Sequence, residues 1–332
     1  MNPMRVLTSP IMDRANLIAT LAAARQTPRR PIVTLANCDN AWIISIPRPA
    51  GATGKKVFYH ILQDPWLFGV NDMLISYFLR LSLKEKSALE TIESCEDLVR
   101  EIEEAVGGSK EDDEHWLDAV TVTHTNPDHL HQPTLQTFDP SLTVFAVEDA
   151  AATISAMKHF DKVHVLPDFV RGQAWPATPE MPDWLSIFRL EDETKKYPNL
   201  YHGIVIRIAA ANGKDEVILY SPHGVDPGIV EAAMEMNPDA KVIAMTHPIN
   251  EAGVGRKSKG VANALKIQRK HSPKYWIHCQ EGIQYTGFLT WFFDYGDKTL
   301  EIGLEEEAKE TEEELPRPNY VTISNGAGFV LA

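Results

Sequence analysis

Nine residues, Thr123 to His131, read THTNPDHLH and follow directly on an apolar run from Trp116 to Val122. A strand that ends this way limits what can be built around it. The offsets set an imidazole, a carboxylate and a second imidazole (His124, Asp128 and His129) on one tight turn, aimed at one point in space, which is how a transition-metal site is assembled. A chain with 12 His also puts some of them beside an Asp by chance. An isolated Asp-His pair in a turn is ordinarily a solvated or capping pair, so the case for chemistry rests on the apolar run that leads in and on the residues that flank it.

The remaining sequence limits the fold without naming a reaction. At 332 residues and 44% hydrophobic, the chain can bury a large core as one sizeable domain or two small ones. The segment from Met1 to Arg30 carries Leu17, Ile18 and Leu21 in an Ala-rich helical pattern interrupted by Asp13 and Arg14, with no signal-peptide cleavage site, and reads as a short amphipathic helix or arm ahead of a domain over 31–332. No apolar run reaches the roughly 18 residues that cross a bilayer. A net charge of −14 leaves no excess of Lys and Arg to displace counterions from a nucleic acid. Arg256, Lys257 and Lys259 form a local basic spot that reads as a solvated loop. Three widely spaced Cys (Cys38, Cys95, Cys279) indicate a reducing compartment, hence a cytoplasmic protein, rather than a disulfide scaffold. The expected partner is a small molecule, with no nucleic acid and no membrane; the oligomeric state is left open.

From Pro31 onward short β-like runs (Ile32 to Leu35, Ala41 to Ile46, Val57 to Leu62) alternate with Pro- and Gly-bearing turns, predicting the start of an antiparallel sheet. Lys55-Lys56 after Gly54 does not satisfy the phosphate-loop pattern. Leu83 to Val106 reads as a charged surface helix and Glu111 to Glu114 as a loop. Beyond the His-rich turn come a strand (Leu142 to Val147), a helix (Ala150 to His159) and strands at Leu185 to Leu190, Gly203 to Ala209 and Val217 to Tyr220. Helices and strands then alternate: Pro227 to Met236, Lys241 to Thr246, Val261 to His271, Tyr275 to Cys279. The acidic run Glu305 to Glu314 reads as a solvated linker, and Tyr320 to Leu331 as one final strand. Two β-rich halves, each followed by helices, predict two sheets packed face to face with helices outside.

The turn resembles the H-x-H-x-D-H signature of the metallo-β-lactamase superfamily, with His124, Asp128 and His129 in place and Asn126 where the middle His stands. Asn37 to Ile46 followed by Gln63-Asp64-Pro65-Trp66-Leu67 is similar to the branch containing bacterial ascorbate-6-phosphate lactonase. Asp128 to His131 followed by Pro133-Thr134-Leu135 matches that branch and a set of fungal relatives with a degenerate motif. The resemblance implies an α/β fold, the four-layer αββα sandwich. It implies that Asp64 lies behind the metal ligands and orients them; on the residues alone Asp64 is equally an Asx-type turn before Pro65. His131 is a third nearby imidazole or, preferably, a residue of the following helix N-terminus.

The superfamily's later ligands are altered. Leu185 to Tyr197 holds Glu191, Asp192 and Glu193 but no His, and His202 reads as a surface residue at a strand entry. His223 stands at or beside the bridging Asp, and a neutral imidazole binds one metal through one nitrogen but bridges two cations poorly, whereas a carboxylate has two oxygens to share. The last His is His247 or His278; His278 suits the family order better, leaving His247 to line the pocket. The resemblance thus implies one metal, zinc or another divalent transition ion, on Asp128, His129, His223 and His278. Asn126 fits, since the mono-zinc subclass also carries Asn in the motif. His124 or Asp128 would serve as general base or proton shuttle in hydrolysis of a small ester, lactone, thioester or phosphoester. The alternatives are a lyase or isomerase on the same scaffold, or a metal-poor binding protein. The aromatics Trp66, Phe68, Trp175, Trp184, Tyr201 and Trp291 read as core ahead of pocket lining.

Overall fold

In the computed structural model of the chain, residues 10–25, 29–73, 79–112, 114–192, 200–209, 213–253, 258–292, 294–296 and 298–332 are described. Glu193 and Tyr197 of the His-free stretch, and Arg256 and Lys257 of the basic spot, lie outside them.

Two large sheets form the centre. The first has seven strands in the order Gly328–Val330, Ile32–Leu35, Trp42–Pro47, Phe58–Gln63, Ala119–Val122, Val144–Ala146, Val163–Val165. Its opening strands pair antiparallel through short turns, with Leu35 opposite Trp42 and Pro47 opposite Phe58, as the turn signals predicted. From Phe58–Gln63 onward the pairing is parallel. The second sheet runs Tyr320–Val321, Tyr275–Ile277, Lys241–Thr246, Glu216–Tyr220, Gly203–Ile208, Leu185–Leu190.

The alternation of side chains along a strand decides which core each residue joins. Ile204, Ile206 and Ile208 face inward and share one core with Ile61, Leu62 and Val120 of the first sheet. Their neighbour Val205, with Val217, Leu219 and Val242, faces outward onto the helices Pro227–Glu235 and Val261–His271, where Ile229, Val230, Leu265 and Ile267 complete a second core. On the outer side of the first sheet lie the helices Arg14–Ala23 and Ile92–Val106. The architecture is the αββα sandwich, of the type the resemblance implied.

The Ile92–Val106 helix starts later than the charged composition suggested, at a capping box formed by Thr91 and Ser94, and ends at Gly107 in the left-handed conformation. Cys95, Leu98, Val99, Ile102 and Val106 are buried on one face, so this is a core helix and not a surface one. Its Glu103, fully buried, accepts from the amides of Val57 and Phe58 and pairs with His60 at 2.9 Å, tying the helix to the sheet. The described part of the N-terminal segment is likewise docked: Leu17 and Leu21 of the helix Arg14–Ala23 are buried, and Met12 bridges to Gly328.

Two more expectations are corrected. Tyr320 to Leu331 is two strands, Tyr320–Val321 in the second sheet and Gly328–Val330 in the first, separated by a turn at Gly326 with φ of 81°. The acidic run is largely helical: Leu300–Thr311 buries Leu300 against the outer core, Gly303 packs where a Cβ would meet Val261 at 2.3 Å, and Glu307 pairs with Arg269 at 2.7 Å. Its acids occupy the solvent side of an amphipathic helix, a pattern that reads as a linker when only charge is counted. A small three-stranded sheet, Ile283–Thr286, Leu79–Leu83 and Val70–Met73, has its own core of Trp66, Leu79, Leu81 and Ile283. Among the described residues no helix is long and apolar enough to cross a membrane.

Candidate metal centre

The His-rich turn leaves the first sheet at the end of Ala119–Val122, and its first residue, Thr123, plugs into Asp64 of the neighbouring strand's exit. The Thr123 amide donates to Asp64 Oδ1 at 2.7 Å and the Thr123 hydroxyl to Oδ2 at 2.6 Å. His129 Nδ1 lies 2.8 Å from Oδ2, and the Tyr220 hydroxyl donates to the same oxygen at 2.9 Å. Asp64 is fully buried and holds a φ of 48°, although it precedes a proline. Such a backbone persists only where the surroundings fix it, here through four partners. Its side chain is therefore an anchor for the turn, and not the Asx-type turn its neighbour Pro65 allowed.

These bonds set the imidazole tautomers. With a proton on Nδ1 donated to Asp64, His129 presents Nε2 to the interior. That nitrogen lies 3.1 Å from His223 Nε2 and 3.3 Å from Asp128 Oδ2. The same Asp128 oxygen accepts from Gln280 Nε2 at 2.9 Å. Asp128, His129 and His223 thus form a buried group whose ligand atoms converge. Tetrahedral coordination with bonds of about 2.0–2.1 Å separates neighbouring ligand atoms by roughly 3.3–3.4 Å, so the donor set and its spacing fit a zinc-type ion.

His124 sits beside the group and not in it. Because the Thr123 hydroxyl gives its own proton to Asp64, it accepts from His124 Nδ1 at 2.8 Å, and His124 Nε2 is left buried without a hydrogen-bond partner. Its ring stacks on His202 with centroids 3.8 Å apart and 16° between planes, and lies 4.6 Å from His129 and 4.9 Å from His223. Asp64, His124 and His129 also come within ligand distance of one another. Asp64 is already filled by its four donors, so this second grouping serves orientation.

The electrostatics follow from packing. Burial, then the neighbouring rings His202, His129 and His223, push the His124 imidazole well below its usual range. Burial and the charge of His129 push His223 down to about 3 against the pull of Asp128. Burial would also lower His129, but the charges of Asp128 and Asp64 outweigh it and raise it to about 10. Burial works against the Asp128 carboxylate, yet His129, His223 and Gln280 together hold it below the usual range. Without a metal, then, His129 is an imidazolium between two carboxylates, and the His124 and His223 rings beside it are neutral.

Other expected residues go elsewhere. His278 does not join the group: its Nδ1 meets the Tyr320 hydroxyl and its Nε2 lies 3.0 Å from Glu281, because the strand Tyr275–Ile277 ends before the chain turns inward and it is Gln280 that reaches Asp128. His247 is a satisfied interior residue, with Nδ1 on the Pro248 carbonyl and Nε2 on Asn263, both at 2.8 Å, and lines neither the centre nor the adjoining cavity. His131 caps the short helix Gln132–Leu135 through Thr134, as preferred, and burial lowers it to about 4. Asn126 shapes the turn: its carbonyl accepts from the amides of His129 and Leu130.

Sequence reasoning missed His202, Tyr220 and Gln280. His202 is 1% exposed, not a surface residue, and its Nε2 lies 2.7 Å from the Thr123 carbonyl. His202 immediately precedes the strand Gly203–Ile208 and Tyr220 ends its antiparallel partner Glu216–Tyr220, so the two lie at the same end of that pair. Of the aromatics, Trp66 is buried in the small core, Trp175 and Trp184 pack on the large ones, and Phe68 and Trp291 are exposed. Beside the centre opens a cavity of about 240 Å3 whose lining includes Asp39, Gln280, Cys38, Glu85 and Glu281.

No protein-family model matches the chain, and no curated protein matches it significantly. Among solved structures it is similar to a possible metal-dependent hydrolase from Veillonella parvula DSM 2008, with a TM-score of 0.51 and 13% identity over 91% of this chain and 100% of that one. Weaker likenesses are to an isothiocyanate hydrolase from Delia radicum gut bacteria (TM-score 0.48, 13% identity, 90% and 99% covered). Another is to the metallo-beta-lactamase fold protein YhfI from Bacillus subtilis (TM-score 0.44, 11% identity, 90% and 99% covered). At 13% identity the first of these likenesses speaks to the fold alone, and the chemistry rests on the residues of this chain.

Proposed function

We propose that this chain is a metal-dependent hydrolase acting on a small-molecule ester, lactone, thioester or phosphoester, with one zinc-type ion held by Asp128, His129 and His223. The observation that carries the reading is the convergence of three buried ligand atoms, with His129 Nε2 3.1 Å from His223 Nε2 and 3.3 Å from Asp128 Oδ2, and all three within 4.8 Å of one another. A divalent ion there supplies a lowered pKa for water and polarisation of a carbonyl or phosphoryl oxygen.

The residues around it have separable tasks. Asp64 holds His129 in the tautomer that points its lone pair inward, and Thr123 and Tyr220 hold Asp64. Asp128 stays charged and offers one oxygen. His124, neutral and with Nε2 unpartnered, is the base placed to accept and pass on a proton from an attacking water. His202 stacks beneath it and fixes the plane of its ring. Asn126, where the signature has a His, supplies no imidazole, and the expected fourth ligand His278 is engaged elsewhere, so among the described residues the donors number three, which would leave a coordination position for substrate or water.

The test is metal content of protein purified without chelator, together with turnover of a panel of esters, lactones, thioesters and phosphoesters in isotope-labelled water. One metal per chain, label in the product, and loss of both metal and turnover in Asp128→Ala or His129→Ala are expected. Metal-free protein with turnover intact in those variants would overturn the reading.

A further inference from the structure

Gln280 has no role in any reading of the sequence, yet it bonds directly to the centre. Its Nε2 donates to Asp128 Oδ2 at 2.9 Å, and its Oε1 accepts from Asn40 Nδ2 at 2.5 Å. Asn40 also donates to Asp39 Oδ2 at 2.9 Å, and Asp39 Oδ1 accepts from the Gly282 amide at 3.0 Å. Asp39 and Asn40 are buried. The result is a closed polar path that ties the loop after the first strand to the segment Gln280–Gly282 and ends on one carboxylate oxygen.

Two features show that the path constrains backbone as well as side chains. Gln280 holds φ of 66°, a conformation that side-chain-bearing residues seldom adopt. A Cβ on Gly282 would lie 2.1 Å from the Cys38 carbonyl oxygen, so the segment can reach the Cys38–Asn40 loop only because that residue is glycine.

We propose that Gln280, oriented by Asn40, is a positioning residue that fixes which oxygen of Asp128 faces the metal. Asp128 Oδ2 is the oxygen 3.3 Å from His129 Nε2, and a carboxylate oxygen accepts along more than one direction. An amide donor on one of them leaves another aimed into the centre and stops the carboxylate rotating away. The inference rests on the reading of Asp128 as a ligand.

The experiment measures zinc affinity by competition with a chromophoric chelator, and the absorption spectrum of the cobalt-loaded protein, in Gln280→Gly, Gln280→Met and Asp128→Ala. Gln280→Gly removes the amide and relieves the left-handed backbone; Gln280→Met removes the amide and keeps length and backbone. Both are expected to weaken zinc binding about 10- to 100-fold, the range for lost outer partners of metal ligands, and to shift the cobalt spectrum, while the metal-free proteins melt near the parent. Gln280→Asn, with the amide one methylene short, is expected to fall between. Parental affinity and spectrum in Gln280→Met would overturn the proposal, whether or not the glycine variant binds weakly, since the role would then belong to the backbone. Parental affinity in Asp128→Ala would instead overturn the metal reading beneath it.

Discussion

His129 and His223 face each other through their Nε2 atoms at 3.1 Å, a separation at which the two lone pairs repel unless a proton or a cation lies between them. The two rings come from different sheets, one from the turn after Ala119–Val122 and the other from the loop after Glu216–Tyr220. What sits between them is therefore set by pH and metal together.

The first prediction concerns proton release. Metal-free protein keeps a proton on His129 up to about pH 10, so zinc must displace it. Zinc affinity is expected to rise about tenfold per pH unit between pH 7 and 9 from this group, with one proton released per ion. Titration calorimetry in buffers of different ionisation enthalpy measures that proton. A pH-independent affinity would show that His129 is not displaced of one.

Stability of the metal-free protein should follow the same group with a defined sign. The folded value of about 10 is raised from 6.5, so the stabilisation is full below pH 6.5 and is lost as pH climbs through 10. His223 acts oppositely: its value is lowered to about 3, so its contribution is present above pH 6.5 and is lost as pH falls towards 3. Melting of metal-free protein across pH 3 to 10 is expected to peak between these limits, and His129→Gln should remove the alkaline fall and leave the acid one.

Asp64→Asn replaces a four-fold acceptor by a group that can also donate, which permits the wrong His129 tautomer. A loss of about 10- to 100-fold in zinc affinity is expected. Tyr220→Phe removes one of the four donors and should destabilise the protein by about 1–3 kcal/mol with a smaller effect on the metal. Equal losses of affinity in both variants would count against the tautomer argument.

The helix in the acidic run is testable without any metal. Leu300 is 2% exposed, and Leu300→Ala is expected to destabilise by about 2–5 kcal/mol by chemical denaturation. Glu305→Ala on the exposed face should lie within about 0.5 kcal/mol of the parent. A solvated linker would tolerate both equally.

Much of this protein was readable before its tertiary structure. The apolar periodicities of Ile32–Leu35, Trp42–Pro47, Leu185–Leu190, Gly203–Ile208 and Lys241–Thr246 specify strands, because a run buried on both faces leaves little else for the chain to do. Helix Val261–His271 was equally legible. The division of Tyr320 to Leu331 was not, since nothing local distinguishes one strand from two that join different sheets. Nor was the helix under the acidic run, whose apolar face is short.

Within the centre, the chain by itself determined that Thr123 to His131 is a turn bringing His124, Asp128 and His129 together, because those residues are local to one another. Tertiary structure alone decided what they meet. His202, Tyr220, His223 and Gln280 lie between 73 and 151 residues beyond His129 in the chain and reach it only because two sheets pack with these strand ends together. Strand alternation tells which face a residue takes, but not which ends of which strands converge. That depends on sheet order and register, and it is why His278 at a strand end was expected in the centre while Gln280, two residues on, bonds to Asp128.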